Sequence, residues 1–290
     1  TSGSYNYSVT AANIIQAALE DLQIVANGET VDSNDQTLAL RRLNFIAKQW
    51  QGTADMKQGF KVMSRQRVML LWAKGQQSYL IGPAATDARS STAVGRTTIR
   101  TAEAAGQTVL DVTALTDTTS DPGTTTTMTA SDIIGIQTDD SGGDDIFWST
   151  ISSTNSVGPT VTIADALPTG RPAAAGNYVY WFTSRAQRFT DIEAAVVRNS
   201  DRIDTPIVVY TDVQQYDLGV SNKYATGDPT AILVEPLRIA TRVTLNSQPS
   251  DMTKQLLLTV LYPAEDYDAT TDDIAFPQEW FAALEWELAY

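Results

Sequence analysis

The sequence predicts an α+β protein: an N-terminal helix pair packed on antiparallel strands, a C-terminal helix, and an inserted all-β sandwich or barrel domain. Three observations carry this. Apolar residues recur at helical spacing near both ends of the chain, while short β-branched runs with turn clusters between them fill the middle. Residues 101–170 hold 17 Thr and neither Lys nor Arg, a compositional break expected of a separate module. The expected organisation is a discontinuous core, 1–96 with 190–290, interrupted by a Thr-rich β-domain over 97–189.

Each element follows from local pattern. Ile14, Ala18, Leu22 and Val25 fall on one helical face after a Thr10 N-cap, with Asn27-Gly28 as the stop. Ser33 and Gln36 stand three apart, a capping box opening a second helix. On it Leu40, Leu43, Ala47 and Trp50 form an apolar stripe, and Arg41 and Lys48 share another face. Val68–Trp72 and Gln77–Ile81, around Ala73-Lys74-Gly75-Gln76, read as a hairpin whose first arm is apolar on both faces and covered by the helix pair. In the Thr-rich region strands are expected at Thr97–Thr101, Thr108–Val112, Ile133–Gln137, Ile146–Ile151, Thr160–Ile163 and Tyr178–Phe182. Strands then recur at Ile192–Val197, Pro206–Tyr210, Ala231–Val234, Thr241–Leu245 and Gln255–Leu261, with a helical turn at Val213–Leu218. Pro277 opens the last helix, where Trp280, Leu284 and Leu288 form a stripe.

Charge and composition narrow the function. The 290 residues carry a formal charge of −14, and Cys and His are absent, so disulfides, Cys or His metal sites and His-based catalysis are excluded. No apolar run approaches bilayer length and Thr1–Thr10 is polar, so stable membrane insertion and a signal peptide are not expected. Residues 41–100 carry 11 basic and 2 acidic side chains, whereas 101–170 carry 10 acidic and none basic. The basic block includes Arg41, Arg42, Lys48, Lys57, Lys61, Arg65 and Arg67, interleaved with Trp50, Phe60, Trp72 and Tyr79. It reads either as a nucleic-acid surface or as a subunit interface that meets the acidic ends of a neighbouring copy; the second is favoured, because both chain ends are acidic.

Motifs for chemistry are sparse. Asp139, Asp140, Asp144 and Asp145 surround Ser141-Gly142-Gly143, an oxygen-rich turn able to attract Ca²⁺ but lacking the EF-hand spacing. A solvated hairpin tip, serving as a docking point of the insertion, accounts for it more simply. Carboxylate pairs such as Glu265 with Asp268, or Asp272 with Glu279, have the residue types of a glycoside hydrolase but no surrounding motif. Neither a Walker A nor a dinucleotide glycine pattern occurs, and no cofactor is expected.

The order of certain pieces resembles a known family. Ala73-Lys74-Gly75-Gln76-Gln77-Ser78-Tyr79-Leu80-Ile81-Gly82-Pro83 is followed by Tyr216-Asp217, Gly227-Asp228-Pro229-Thr230, Tyr262-Pro263 and Asp272-Asp273-Ile274-Ala275-Phe276-Pro277-Gln278-Glu279-Trp280. Over about 9–96 and 190–290 this is similar to the head-to-tail adaptors of short-tailed bacteriophages, the tail-tubular-protein-A type. The resemblance implies a non-enzymatic virion protein at the head–tail junction. It would form a dodecameric ring joining the portal above to the tail nozzle below, with a tail fibre or tailspike as a further partner on the lower side. Double-stranded DNA would cross its channel without sequence recognition. It also implies a portal-facing C-terminal helix, here presenting Trp286 and Tyr290. The Thr-rich insertion departs from the compact family pattern. Alternatives are a peptidoglycan hydrolase or a carbohydrate- or receptor-binding tail module.

Overall fold

The computed structural model describes residues 7–52, 65–82, 89–118, 125–139 and 145–290. The chain is mixed α and β and divides into two compact units, Thr1–Ser64 with Pro263–Tyr290, and Arg65–Tyr262. Among the described residues no helix is long and apolar enough to cross a membrane.

The first unit is helical. Helix α1, Ala11–Asp21, opens on Thr10, whose hydroxyl accepts from the Asn13 amide while the Asn13 side chain accepts from the Thr10 amide. It ends six residues before Asn27, because Gln23 takes a left-handed φ of 57° and the amides of Gln23 and Ile24 return to Glu20 and Leu19. Helix α2, Ser33–Gly52, is capped one residue earlier than its spacing implies: Asp32, not Ser33, accepts from the Asn34 amide at 2.8 Å. Asp fills that role at least as well as Ser. A 3₁₀ turn at Gln278–Trp280 leads into the C-terminal helix, Phe281–Ala289.

These helices share one core. Ala11 and Ile14 of α1 and Leu43, Ile46 and Ala47 of α2 bury with Phe281 and Leu284 of the C-terminal helix and with Tyr267, Ile274 and Phe276 before it. Two links tie the distant ends of the chain together. Thr10 bridges Asp273, with the Ile274 amide donating to the Val9 carbonyl at 2.9 Å. Asn44 donates to the Tyr267 carbonyl at 2.9 Å and accepts from its amide at 2.8 Å, as an adjacent strand would.

The second unit holds the sheets. In chain order its strands are β1 Arg65–Leu70, β2 Ser78–Ile81, β3 Ser90–Ser91, β4 Gly95–Thr98, β5 Val109–Asp111, β6 Thr116–Asp117, β7 Thr126–Thr127, β8 Ile133–Thr138, β9 Asp145–Asn155, β10 Thr160–Ile163, β11 Tyr178–Phe182, β12 Asp191–Arg198, β13 Asp204–Tyr210, β14 Ala225–Thr226, β15 Ala231–Pro236, β16 Thr241–Leu245, β17 Ser247–Gln248 and β18 Gln255–Leu261. The short helix Val213–Gly219 follows β13.

The larger sheet runs β2-β16-β15-β13-β12-β18-β1-β3. All its pairs are antiparallel except β13 with β15. The expected β1–β2 hairpin does not form: β1 pairs β18 from Arg65↔Leu261 to Leu70↔Leu256, and β2 pairs β16 at the far edge. The reason lies in β18. Its nearly continuous apolar run is buried along six of seven positions, and such a strand needs a neighbour on each side, here β1 and β12. The segment between β1 and β2 is held instead by Tyr79, whose hydroxyl accepts from the Ala73 amide at 2.9 Å and donates to the Gln76 carbonyl at 2.8 Å.

The smaller sheet runs β4-β11-β8-β9-β10-β5, antiparallel throughout. Its edge strands meet at the Ile99↔Val112 bridge, and the Thr113 amide donates to the Thr98 carbonyl at 2.9 Å, so the sheet is nearly closed as a barrel. Ile99, Leu110, Val112, Ile134, Ile136, Val161, Val179 and Trp181 fill one core, as the period-two pattern requires. Ile146, Tyr180 and Phe182, on barrel strands, join the core of the large sheet with Val68, Leu70, Tyr79 and Leu256. The compact division falls at 64/65 and 262/263, and within the second unit barrel and large sheet share buried side chains.

Candidate functional site

The α2 helix has two unlike faces. Leu43, Ile46 and Ala47 are buried, while Asn34, Leu38, Arg41, Arg42 and Phe45 are exposed along the spacing i, i+4, i+7, i+8, i+11 that shares one side of a helix. Leu38 and Phe45 are 57% and 61% exposed, and Arg41 and Arg42 form no side-chain hydrogen bond or ion pair among the described residues. Both apolar residues lie off the Leu40–Leu43–Ala47–Trp50 stripe, and a single Leu and a single Phe seven apart on a second face are the only signal the sequence carries for them. The upper part of this face opens into an apolar groove of about 370 Å³. Ala18, Leu19, Ile24, Leu38, Ala39 and Leu288 line it, with Arg42 and Asp35 also on its wall.

The C-terminal helix repeats the arrangement with the opposite charge. Leu284 is fully buried and Phe281 nearly so, while Ala283, Trp286, Glu287 and Tyr290 are exposed along one side of the helix and Glu279 is exposed in the 3₁₀ turn before it. Trp286 and Tyr290 stack, with ring centroids 6.4 Å apart and planes 15° from parallel, and they are 60% and 91% exposed. On the covered side, burial first and then the nearby Asp21 carboxylate push the Glu285 carboxyl above its usual range.

The basic block divides once its partners are known. Lys48 lies 2.8 Å from Asp266 and donates to the Ala264 carbonyl. Arg65 grips Glu193 with two bonds, Nε to Oε2 at 2.5 Å and Nη2 to Oε1 at 2.8 Å, and this raises its pKa. Arg67, behind Arg198, helps hold the Asp204 carboxyl below its usual range. Lys57 and Lys61 lie outside the described residues. Of the expected basic interface, Arg41 and Arg42 are therefore brought together on α2, and Lys48 and Arg65 are committed to partners within their own units.

The acidic insertion also has an inward use. Asp139 accepts from the Ala174 amide at 3.1 Å and from the Asn177 side chain at 2.9 Å, and Asp145 accepts from the Ile146 amide at 2.8 Å. Asp140 and Asp144 lie outside the described residues. Glu103, Asp117 and Asp132 accept from the backbone amides of Asp111, Arg96 and Thr129 at 2.7–2.9 Å. Carboxylates in this module satisfy backbone donors that strand irregularities would otherwise leave unpaired.

The carboxylates considered for hydrolysis are placed as follows. Asp272 accepts from the amides of Asp268 and Ala269 at 2.8 and 2.9 Å, holding a turn, while Glu265, Asp268 and Glu279 are exposed. Among the described residues no group of three or more His, Cys, Asp or Glu side chains is arranged to hold a metal ion. Comparison with known proteins finds no matching family model, no matching curated protein and no matching solved structure.

Proposed function

We propose that the chain is a structural, non-enzymatic subunit of a head-to-tail adaptor ring in a short-tailed phage, set between portal and tail nozzle around a DNA channel. The observation that carries this is the pair of exposed helical stripes on the first unit, one basic and apolar, the other acidic and aromatic. An assembly part needs such unlike faces, and large aromatics dominate contact energy where they are buried by a partner. In this reading Trp286 and Tyr290 face the portal, and the ring, expected to be dodecameric, belongs to the virion at the head–tail junction. The finer architecture, a helix pair set on antiparallel strands with 97–189 as an appended docking module, belongs to the same proposal. A net charge of −14 per copy suits a channel that passes DNA without gripping phosphate.

Electron micrographs of the purified chain, alone and mixed with the portal protein of the same genome, test the reading. Rotationally symmetric rings, or portal capped by them, are expected. Absence of both, together with loss of turbidity in a peptidoglycan suspension that Glu265→Gln or Asp272→Asn abolishes without unfolding, would replace it with the hydrolase reading.

A further inference from the structure

The two stripes complement one another. The α2 stripe sets Arg41 and Arg42 beside Leu38 and Phe45; the C-terminal stripe sets Glu279 and Glu287 beside Trp286 and Tyr290. The α2 stripe lies within one helix, and the C-terminal stripe runs from the 3₁₀ turn at Gln278–Trp280 through the helix Phe281–Ala289 to Tyr290, so the two can lie side by side with rings against alkyl and phenyl groups and charges paired at the margins. Neither Arg has a partner among the described residues, and a concavity adjoins the α2 stripe where Leu38 and Arg42 line the groove.

We infer that the exposed α2 stripe is a docking site for the C-terminal helix of a second copy of this chain, with the stacked Trp286–Tyr290 pair seated on Leu38 and Phe45. Because the two faces are unlike, the contact is heterologous, each copy offering one donor and one acceptor face, and repetition generates a ring or a filament. The inference does not rest on the adaptor reading: a chain that assembled through these faces and never met a portal would satisfy it. In the adaptor reading it adds a consequence, since a portal then displaces the neighbour from Trp286 and Tyr290.

A charge-reversal exchange tests the pairing in the full chain. One variant carries Arg41→Glu and Arg42→Glu, the other Glu279→Lys and Glu287→Lys; all four positions are exposed, and thermal melts by circular dichroism confirm that each variant folds. Sedimentation velocity between about 1 and 100 μM, where a micromolar contact populates complexes, reads association. The natural chain is expected to associate, each variant alone to associate about 100-fold more weakly because like charges now face each other, and their equimolar mixture to recover. In the mixture acidic α2 meets basic C-terminal helix, and basic α2 meets acidic C-terminal helix. A natural chain that stays monomeric throughout, variants that associate as the natural chain does, or a folded mixture that fails to recover would each overturn the inference. Micrographs with portal read the adaptor question separately, so either idea can fail alone.

Discussion

Leu284→Ala separates the residue that holds the C-terminal helix from those that display it. Leu284 has no exposed surface and sits among Leu43, Ala47, Ile274 and Phe281. The substitution removes three buried carbons, worth about 2.4 kcal/mol at roughly 0.8 kcal/mol each. The surrounding side chains belong to three separate segments and close the hole only partly, so a cavity contribution brings the loss to about 3–4 kcal/mol. Trp286, two residues on, is 60% exposed, and its replacement by Ala should change stability by less than about 0.5 kcal/mol. Urea titration followed by far-UV circular dichroism reports on the helical unit, which contains α1, α2 and the C-terminal helix. With a slope near 2 kcal/mol per molar urea, Leu284→Ala should lower the midpoint by about 1.5 M while Trp286→Ala leaves it in place. Equal shifts for the two, or a loss below about 1 kcal/mol for Leu284→Ala, would show that the helix is not divided into a holding and a presenting face.

Three further outcomes follow from the packing and the charges. Gly95→Ala puts a Cβ 2.3 Å from the Trp181 ring and 2.5 Å from Thr126 Oγ1; with Trp181 buried, a melt should show a loss of about 1–3 kcal/mol or more, and an unchanged melt would mean the barrel core yields freely. The raised pKa of Glu285 means that its contribution is fully favourable below the unfolded carboxylate value of about 4.3 and is lost as pH rises through the folded value. Glu285→Gln should therefore stabilise the chain near neutrality by under about 1 kcal/mol, with the difference vanishing in acid; a difference that grows in acid would reverse the assignment. Arg65→Ala should leave association unchanged, because its charge is spent on Glu193, whereas Arg41→Ala with Arg42→Ala should weaken it and flatten its dependence on salt between about 0.05 and 0.5 M; sedimentation of the two variants at matched concentrations decides this.

Local pattern carried most of the elements and little of their pairing. Ile14, Ala18, Leu43, Ala47 and Leu284 are buried where helical periodicity puts them, and Val161, Ile163, Ile134 and Ile136 where strand alternation does. The partner of β1 was not legible, because Arg65 pairs with Leu261 across nearly the whole unit and residues near Arg65 say nothing of it. Proximity favoured a hairpin with β2, and the demand of β18 for two neighbours overrode that preference. Asn44 was equally silent: an Asn on a helix reads as polar surface, and its paired bonds to the Tyr267 backbone depend on where a distant segment lies. Closure of the small sheet at Ile99↔Val112 likewise comes from strand tilt and register rather than from any residue type.

The charge distribution is the more instructive case, since the same blocks support different conclusions once partners are known. Read along the chain, the basic segment 41–100 against acidic ends implies an interface built from many charges. In the fold, Lys48, Arg65 and Arg100 have carboxylate partners at 2.5–2.8 Å within their own units, and acids of the barrel cap its backbone. Exposed pairs of this sort contribute little net stability, yet each removes a charge from the set available to a neighbour. On the two exposed stripes of the first unit, the charges at hand are Arg41, Arg42, Glu279 and Glu287 around an apolar centre. Such a contact owes its affinity to the buried rings and its choice of partner to the charges, so reversing four side chains should redirect assembly without dissolving the fold.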